Sequence, residues 1–239
     1  MKNFKLSVLG LCALVMFSGC GASNTLKGGL LGGAGGAALG GILGQVIGHD
    51  TKSTAIGAAI GTAVGATAGA LIGKKMDKAK AAAAAVANAQ VESVTDANGL
   101  QAVKVTFDSG ILFQTGSSTL QAAAKNSLNN FANNVLNVYT DCDVAIQGYT
   151  DNAPWKGSTA AQSAAKNQTL SLQRAQAVQN YLLQQRVNAS QIKSVEGLGE
   201  ANPVADNSTA AGKQQNRRVE VYLYASQAMI NAANNGTLQ

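Results

Sequence analysis

Histidine is nearly absent from this chain, and that scarcity excludes most enzymatic chemistry. His49 is the one histidine among 239 residues. A zinc site needs further ligands beside it, and an activated serine or cysteine needs a base within hydrogen-bond reach. The acids near Asp151 also have no second carboxylate at the spacing of a hydrolytic pair. We therefore predict a protein that is not an enzyme, holds no metal and uses no cofactor.

Cysteine is scarce as well, and its three positions suggest a processed and lipidated chain. Residues 1–19 have the basic start and short apolar run of a signal peptide. The run ends in Phe17-Ser18-Gly19-Cys20, which resembles a bacterial lipoprotein processing site with Phe17 in place of the usual leucine. Cys20 would then carry the lipid; an ordinary secretory signal is the alternative. Cys142 opens an apolar strand pattern and is predicted to be a small buried side chain.

Charged residues make up only 13% of the chain, and the basic excess is local. Lys74, Lys75, Lys78 and Lys80 form a short basic run directly after a glycine-rich region. Such a run suits anionic lipid headgroups. Nucleic-acid binding would need an extended basic face with interleaved aromatic residues, and the sequence has none. We predict no nucleic-acid partner.

Glycine is abundant only before residue 74, where it recurs at every fourth position. Glycines stand at positions 28, 32, 36, 40, 44 and 48, and again at 57, 61, 65, 69 and 73. Residues four apart share one side of a helix, and small side chains let a second backbone approach closely. Each glycine costs about 1 kcal/mol relative to alanine in a helix, so such a helix needs a packing partner. We predict a helical hairpin over residues 28–73, either self-associating or inserted in the membrane; a flexible linker is the alternative.

The regions around this hairpin have simpler compositions. Residues 20–27 would be the lipidated N-terminus, and residues 74–99 combine the basic run with an alanine run. Alanine is the best helix former, so residues 74–99 are predicted to be a helical spacer. Residues 226–239 are predicted to be a C-terminal tail.

Residues 100–225 have the alternating pattern of a packed domain. Strands are predicted at residues 103–107, 144–146, 192–198 and 219–224, and helices at 119–138 and 170–185. Strands separated by crossover helices predict a mixed sheet with helices packed on one face. Asp151 follows a strand directly, at the kind of strand end where ligands gather in such sheets.

Three motifs in this region resemble the OmpA-like C-terminal domain, a family that binds peptidoglycan without cleaving it. They are Gly148-Tyr149-Thr150-Asp151, Asn167-x-x-Leu170-Ser171-x-x-Arg174-Ala175 and Asn216-Arg217-Arg218-Val219-Glu220. The resemblance implies a βαβαββ mixed sheet of the α+β or α/β class, preceded here by a segment similar to the glycine zippers of outer-membrane lipoproteins. It also implies a clamp for diaminopimelate, in which Asp151 takes the ammonium and Arg174 takes the carboxylate. The positions implied to line the site are Asp151, Arg174, Asn167, Arg217, Gly116 and Thr150.

The stretch from Asp151 to Asn167 is about eight residues longer than in compact members of this family. It contains Pro154 and Trp155, the only tryptophan of the chain. A capping loop packed on the fold is one interpretation of residues 152–166. A lid over the ligand or a docking loop for a partner is the other, because binding residues favour loops.

Together these features predict a bacterial outer-membrane lipoprotein facing the periplasm. Cys20 would hold the membrane, the glycine-rich hairpin could enter it or form a homo-oligomer, and the C-terminal domain would grip peptidoglycan. The alternative function is a glycine-zipper oligomer that stabilises or permeabilises the outer membrane, with wall binding only positioning it.

Overall fold

A five-stranded mixed sheet organises the computed structural model, which describes residues 63–239. The strands are β1 (Ala89–Thr95), β2 (Gln101–Asp108), β3 (Cys142–Gly148), β4 (Ile192–Gly197) and β5 (Arg218–Ala225). Their order across the sheet is β1-β2-β5-β3-β4. Strands β3 and β4 pair in parallel, whereas the other neighbours are antiparallel. The last strand in the chain is therefore the central strand of the sheet.

Helices cover one face of this sheet. They are α1 (Ala66–Ala84), α2 (Ser109–Leu112), α3 (Ala122–Phe131), α4 (Ala160–Gln184), α5 (Ala210–Asn216) and α6 (Gln227–Asn234). Alternate residues of a strand point to opposite faces, so Val221 and Leu223 of β5 join the helices in the main core. Tyr222 and Tyr224 pack on the other face in a small cluster. The α+β mixed sheet with packed helices is confirmed.

The predicted helical spacer over residues 74–99 is wrong in its packing and at its C-terminal end. Helix α1 buries Ile72, Met76, Ala79 and Ala83, which lie along one of its sides. These residues belong to the main core, and the helix packs against α6 and β2. Residues 89–95 then form β1, which pairs with β2 across the turn at residues 96–100. This segment is part of the domain.

Other segment boundaries also differ from the prediction. The predicted helix at residues 170–185 begins at Ala160, because Thr159 and Gln162 form a reciprocal capping box. Residues 160–166 of the predicted loop are therefore helical. Residues 227–234 of the predicted tail form α6, which buries Met229 and Ile230. Strand β1 and helices α1, α2, α5 and α6 are additions to the βαβαββ order.

Two glycines let α4 lie unusually close to the sheet. A Cβ at Gly148 would overlap the carbonyl group of Ser171, and a Cβ at Gly197 would overlap the backbone of Leu172. Because only glycine permits this approach, the middle of α4 is held against the ends of β3 and β4. That contact fixes the position of the α4 side chains one turn either side of Ser171.

Cys142 confirms its predicted role. It opens β3, is 1% exposed and has no disulfide partner in the described chain. Burial raises the pKa of its thiol to about 12. The thiol is therefore protonated and unreactive at neutral pH.

Several sequence predictions lie outside the described residues. They are the signal peptide, the lipidated Cys20 and the glycine-rich hairpin up to residue 62. Between residues 63 and 239, no helix is both long and apolar enough to cross a membrane.

Candidate ligand-binding site

The candidate site lies where β3 ends and β5 begins. These two strands are antiparallel neighbours, and Gly148 of β3 is paired with Val219 of β5. Asp151, just after β3, is thereby placed beside Arg217, just before β5. Helix α4 passes over the same edge and supplies Asn167 and Arg174 from its inner side. The strand pairing and the glycine-permitted approach of α4 together assemble the site.

All six residues implied by the resemblance line one cavity of about 410 Å³. They are Asp151, Arg174, Asn167, Arg217, Gly116 and Thr150. They come from four separate segments of the chain, so their convergence is a result of the tertiary fold. Gly116 has a φ of +71°, and a Cβ added there would meet no atom within 4 Å, so this residue leaves its wall open.

Arg217 and Asp151, which both line the cavity, form an ion pair. Arg217 Nη1 donates to Asp151 Oδ2, and the second oxygen, Oδ1, accepts a hydrogen bond from the backbone N–H of Ala153 at 3.0 Å. Arg217 Nη2 also donates to Gln214, whose amide in turn donates to both oxygens of Asp108 at 2.6 and 2.7 Å. Each carboxylate oxygen has two acceptor positions, so Asp151 retains capacity for a further donor.

Arg174 is held differently, by backbone and by an aromatic ring. Its Nε donates to the carbonyl of Ser117 at 3.0 Å, and its Nη2 lies 3.4 Å from the carbonyl of Gln114. Its guanidinium carbon is 5.2 Å from the ring centre of Phe113. Among the described residues Arg174 forms no ion pair within 4.0 Å. Burial, and then the nearby charge of Arg217, lower the pKa of Arg174, while Asp151 opposes that change.

Trp155 forms part of the wall, which the sequence alone did not decide. Its indole Nε1 donates to Asn167 Oδ1 at 2.7 Å, and its backbone N–H donates to Ser163 Oγ at 3.0 Å. The amide of Asn167 donates back to the carbonyls of Asp151 and Ala153 at 3.4 and 3.3 Å. Asn167 therefore ties the Trp155 segment to the strand end that carries Asp151.

Two buried hydroxyls in the wall lack a partner within the described protein. Ser109 and Thr150 are 2% and 4% exposed, and the hydroxyl oxygen of each forms no hydrogen bond in the structure. Both residues line the cavity. Buried hydroxyls are normally satisfied, so these two are available to a polar ligand. Ser109, Phe113 and Gln214 were missed by the sequence analysis, which had no motif that pointed to them.

The arrangement can hold a polar ligand but shows no catalytic apparatus. Asp151 accepts hydrogen bonds from Arg217 and from the backbone N–H of Ala153, which is typical of a carboxylate held in place as a hydrogen-bond acceptor. The described residues contain no group of three or more histidine, cysteine or acidic side chains that could hold a metal ion. One carboxylate and two guanidiniums around a cavity suit a ligand that carries both an ammonium and a carboxylate.

Comparison with known families identifies two parts of the chain. Residues 112–217 match the model described as the OmpA family. Residues 1–77 match the model described as a YMGG-like Gly-zipper. The first match contains all six residues of the implied site, and the second contains the four-residue glycine repeat.

Curated relatives match about half of the chain. Probable lipoprotein YiaD of Escherichia coli is 45% identical over 113 residues, which are 47% of each chain. Peptidoglycan-binding protein ArfA of Mycobacterium tuberculosis is 37% identical over 120 residues, 50% of this chain and 34% of that one. Outer-membrane lipoprotein YfiB of Pseudomonas aeruginosa is 36% identical over 117 residues, 49% of this chain and 64% of that one. The matches span less than two thirds of these relatives' own length.

A solved structure shares the fold. The cell wall anchor of the T6SS from Pseudomonas aeruginosa superposes with a TM-score of 0.50 at 26% identity. The superposition covers 63% of this chain and 97% of that one.

Proposed function

We propose that this domain binds peptidoglycan and holds it without cleaving it, because residues 112–217 match the model described as the OmpA family. The observation that carries the proposal is the convergence of Asp151, Arg174 and Arg217 on one cavity. The name of the relative ArfA, a peptidoglycan-binding protein, supports the same ligand.

The ligand is the diaminopimelate residue of the peptide stem, whose free end carries an ammonium and a carboxylate. The ammonium donates to Asp151, which keeps acceptor positions beside its bond from Arg217. The carboxylate is taken by Arg174, whose guanidinium has no carboxylate partner within the described chain. The unpartnered hydroxyls of Ser109 and Thr150 complete the wall on the sheet side. A bidentate arginine contact gives this recognition both strength and direction.

The other end of the tether is the outer membrane. Lipid at Cys20 anchors the chain, the domain faces the periplasm, and the relatives YiaD and YfiB are named as lipoproteins. A single clamp of this kind binds weakly, and many copies on one membrane hold the wall by avidity.

A second function involves the glycine repeat itself. A Cβ added at Gly65, the residue before α1, or at Gly69 within it would meet no atom of residues 63–239 within 4 Å, so the described part of the domain leaves this side of α1 open to another small-residue surface. A zipper oligomer that stabilises or permeabilises the membrane would use that surface. Deleting residues 28–62 separates the two functions, and the deletion must stop before α1 because α1 is part of the core. A plain anchor keeps wall binding and envelope integrity without these residues.

Co-sedimentation with purified sacculi tests the tether. The detergent-solubilised full chain should pellet with sacculi, whereas Asp151→Ala and Arg174→Ala should stay in the supernatant. Asp143→Ala is the matched control, because Asp143 pairs with Lys193 at 3.6 Å and neither residue lines the cavity. Circular dichroism would show that each variant is folded. Wild-type protein that fails to pellet, or both variants pelleting like wild type, would contradict the proposal.

A further inference from the structure

The charges around the cavity exceed what a zwitterion can balance. Among the lining residues that the structure describes, Asp151 is the one acid, whereas Lys156, Arg174 and Arg217 are basic. A diaminopimelate end contributes one positive and one negative charge and therefore leaves this excess unchanged. Electrostatic complementarity favours a ligand with additional negative charge.

A second cavity continues from the first along α4. Its volume is about 310 Å³, and it shares Gly116, Trp155 and Leu170 with the first cavity. The shared residues form a common wall, so a ligand seated in the first cavity can extend into the second without leaving the surface. The segment that carries Trp155 creates this wall, because the Trp155 indole is held in place by its hydrogen bond to Asn167.

Lys166 brings a further positive charge to this second cavity. Its ammonium lies 5.8 Å from the centre of the Trp155 ring and donates to Ser158 Oγ at 2.9 Å. The side chain is therefore placed beside the indole, whose face can pack on an aliphatic part of the ligand. An aromatic face next to an ammonium suits an acidic amino-acid residue.

We propose that the second cavity is a subsite for a carboxylate on the stem residue that adjoins the zwitterion. Trp155 packs on the aliphatic part of that residue, and Lys166 pairs with its carboxylate. The assignment rests on the proposed function. Two residues can supply the carboxylate: the D-glutamate, which precedes diaminopimelate and is joined to it through the γ-carboxyl group, or the D-alanine, which follows diaminopimelate and ends the stem. The subsite thus distinguishes free from amidated stems.

Fluorescence titration offers a direct test, because Trp155 is the only tryptophan of the chain. The full chain in detergent would be titrated with L-Ala-γ-D-Glu-diaminopimelate-D-Ala and with two versions amidated separately at the D-glutamate carboxylate and at the D-alanine carboxyl end. We expect the tryptophan emission to shift on binding. We also expect one of the two amidations to weaken Kd about threefold, as for a partly exposed ion pair. The amidation that does so identifies the source of the carboxylate.

Lys166→Gln separates the subsite from the clamp. In this variant the parent peptide should bind about threefold more weakly, and the sensitive amidation should have no further effect. Lys125→Gln removes one charge from a residue that lines neither cavity and should behave like wild type. Amidation effects that persist in Lys166→Gln, or the absence of any amidation effect, would overturn the subsite while leaving the clamp in place. No binding of the parent peptide to any version would overturn both the subsite and the proposed function.

Discussion

Arg217 and Arg218 are neighbours in sequence, yet each forms an ion pair in a different part of the molecule. Arg217 pairs with Asp151 at the cavity, where the two side chains are 33% and 9% exposed. Arg218 pairs with Glu220 at 2.7 Å on the face of the sheet opposite the helices, where the side chains are 4% and 3% exposed. Successive residues of an extended strand point to opposite sides, so one dipeptide serves both environments.

The partners of the two arginines differ as much as their exposure. Arg218 also donates to the carbonyls of Asn216 and Asn202 and lies 3.7 Å from the ring centre of Tyr149. Arg217 ends in a cavity that a ligand can enter. The buried pair therefore supports the fold, whereas the pair at the cavity is available for binding.

The largest effect is expected from breaking the buried pair. Arg218→Ala leaves Glu220 buried without its main partner, which should lower the free energy of unfolding by about 3–5 kcal/mol. Arg217→Ala is the matched control, and its loss should stay below about 1 kcal/mol because that pair is partly exposed. Urea unfolding of the two variants measures both values. Equal losses would remove the distinction between the pairs.

The next effect concerns binding. Asp151→Asn keeps the shape and one acceptor oxygen but removes the charge that takes the ammonium. Its affinity for sacculi should fall about tenfold or more, while the free energy of unfolding changes by less than about 1 kcal/mol. Glu220→Gln should show the reverse: reduced stability, with unchanged binding at a temperature where it is folded. Retained binding by Asp151→Asn would place the ligand elsewhere.

A smaller effect follows from the ionisation of Tyr222. Its hydroxyl donates to Glu220 Oε2 at 2.5 Å, and burial, followed by the charge of Glu220, raises its pKa well above the ordinary value near 10. When the pKa of a group is higher in the folded protein than in the unfolded chain, its neutral form stabilises the fold. This contribution to the free energy of unfolding is complete below pH 10 and declines as the pH rises further. Ionisation of Tyr222 in the unfolded chain should therefore lower the free energy of unfolding by about 1 kcal/mol between pH 10 and pH 11.

Urea unfolding at pH 9, 10 and 11 would reveal this decline. Tyr222→Phe removes the ionising hydroxyl and should show a correspondingly flatter dependence. The other tyrosines are the same in both proteins and cancel in the comparison. Identical slopes would show that Tyr222 ionises as easily in the folded cluster as in the unfolded chain.

The central strands and helices are predictable from the sequence, because the hydrophobic patterns that indicate them are local. The sequence pattern alone places Asp151 directly after an apolar strand and Arg174 on a periodic helix. Strand β1 could not, because it is an edge strand with several exposed residues and depends on its register with β2. The packing of α1 was visible only as the spacing of Ile72, Met76, Ala79 and Ala83, which the surrounding alanines obscured.

The residues of the candidate site also fall into two groups, those that the sequence indicates and those that only the tertiary structure places. The resemblance indicated six residues, most of which lie within three ordered motifs. Gln214, Ser109 and the seating of Trp155 depend on contacts between segments distant in sequence, such as the bonds from Gln214 to Asp108. No local pattern specifies such contacts.

The most direct test of the central claim is competition between two stem tripeptides for the full chain bound to sacculi. L-Ala-γ-D-Glu-meso-diaminopimelate and L-Ala-γ-D-Glu-L-lysine differ by the one carboxylate assigned to Arg174. We predict that the diaminopimelate peptide displaces the protein at a concentration at least about tenfold lower than the lysine peptide, since a charge-assisted bidentate contact is lost. Equal displacement by the two peptides would contradict the assignment of the clamp to a zwitterion.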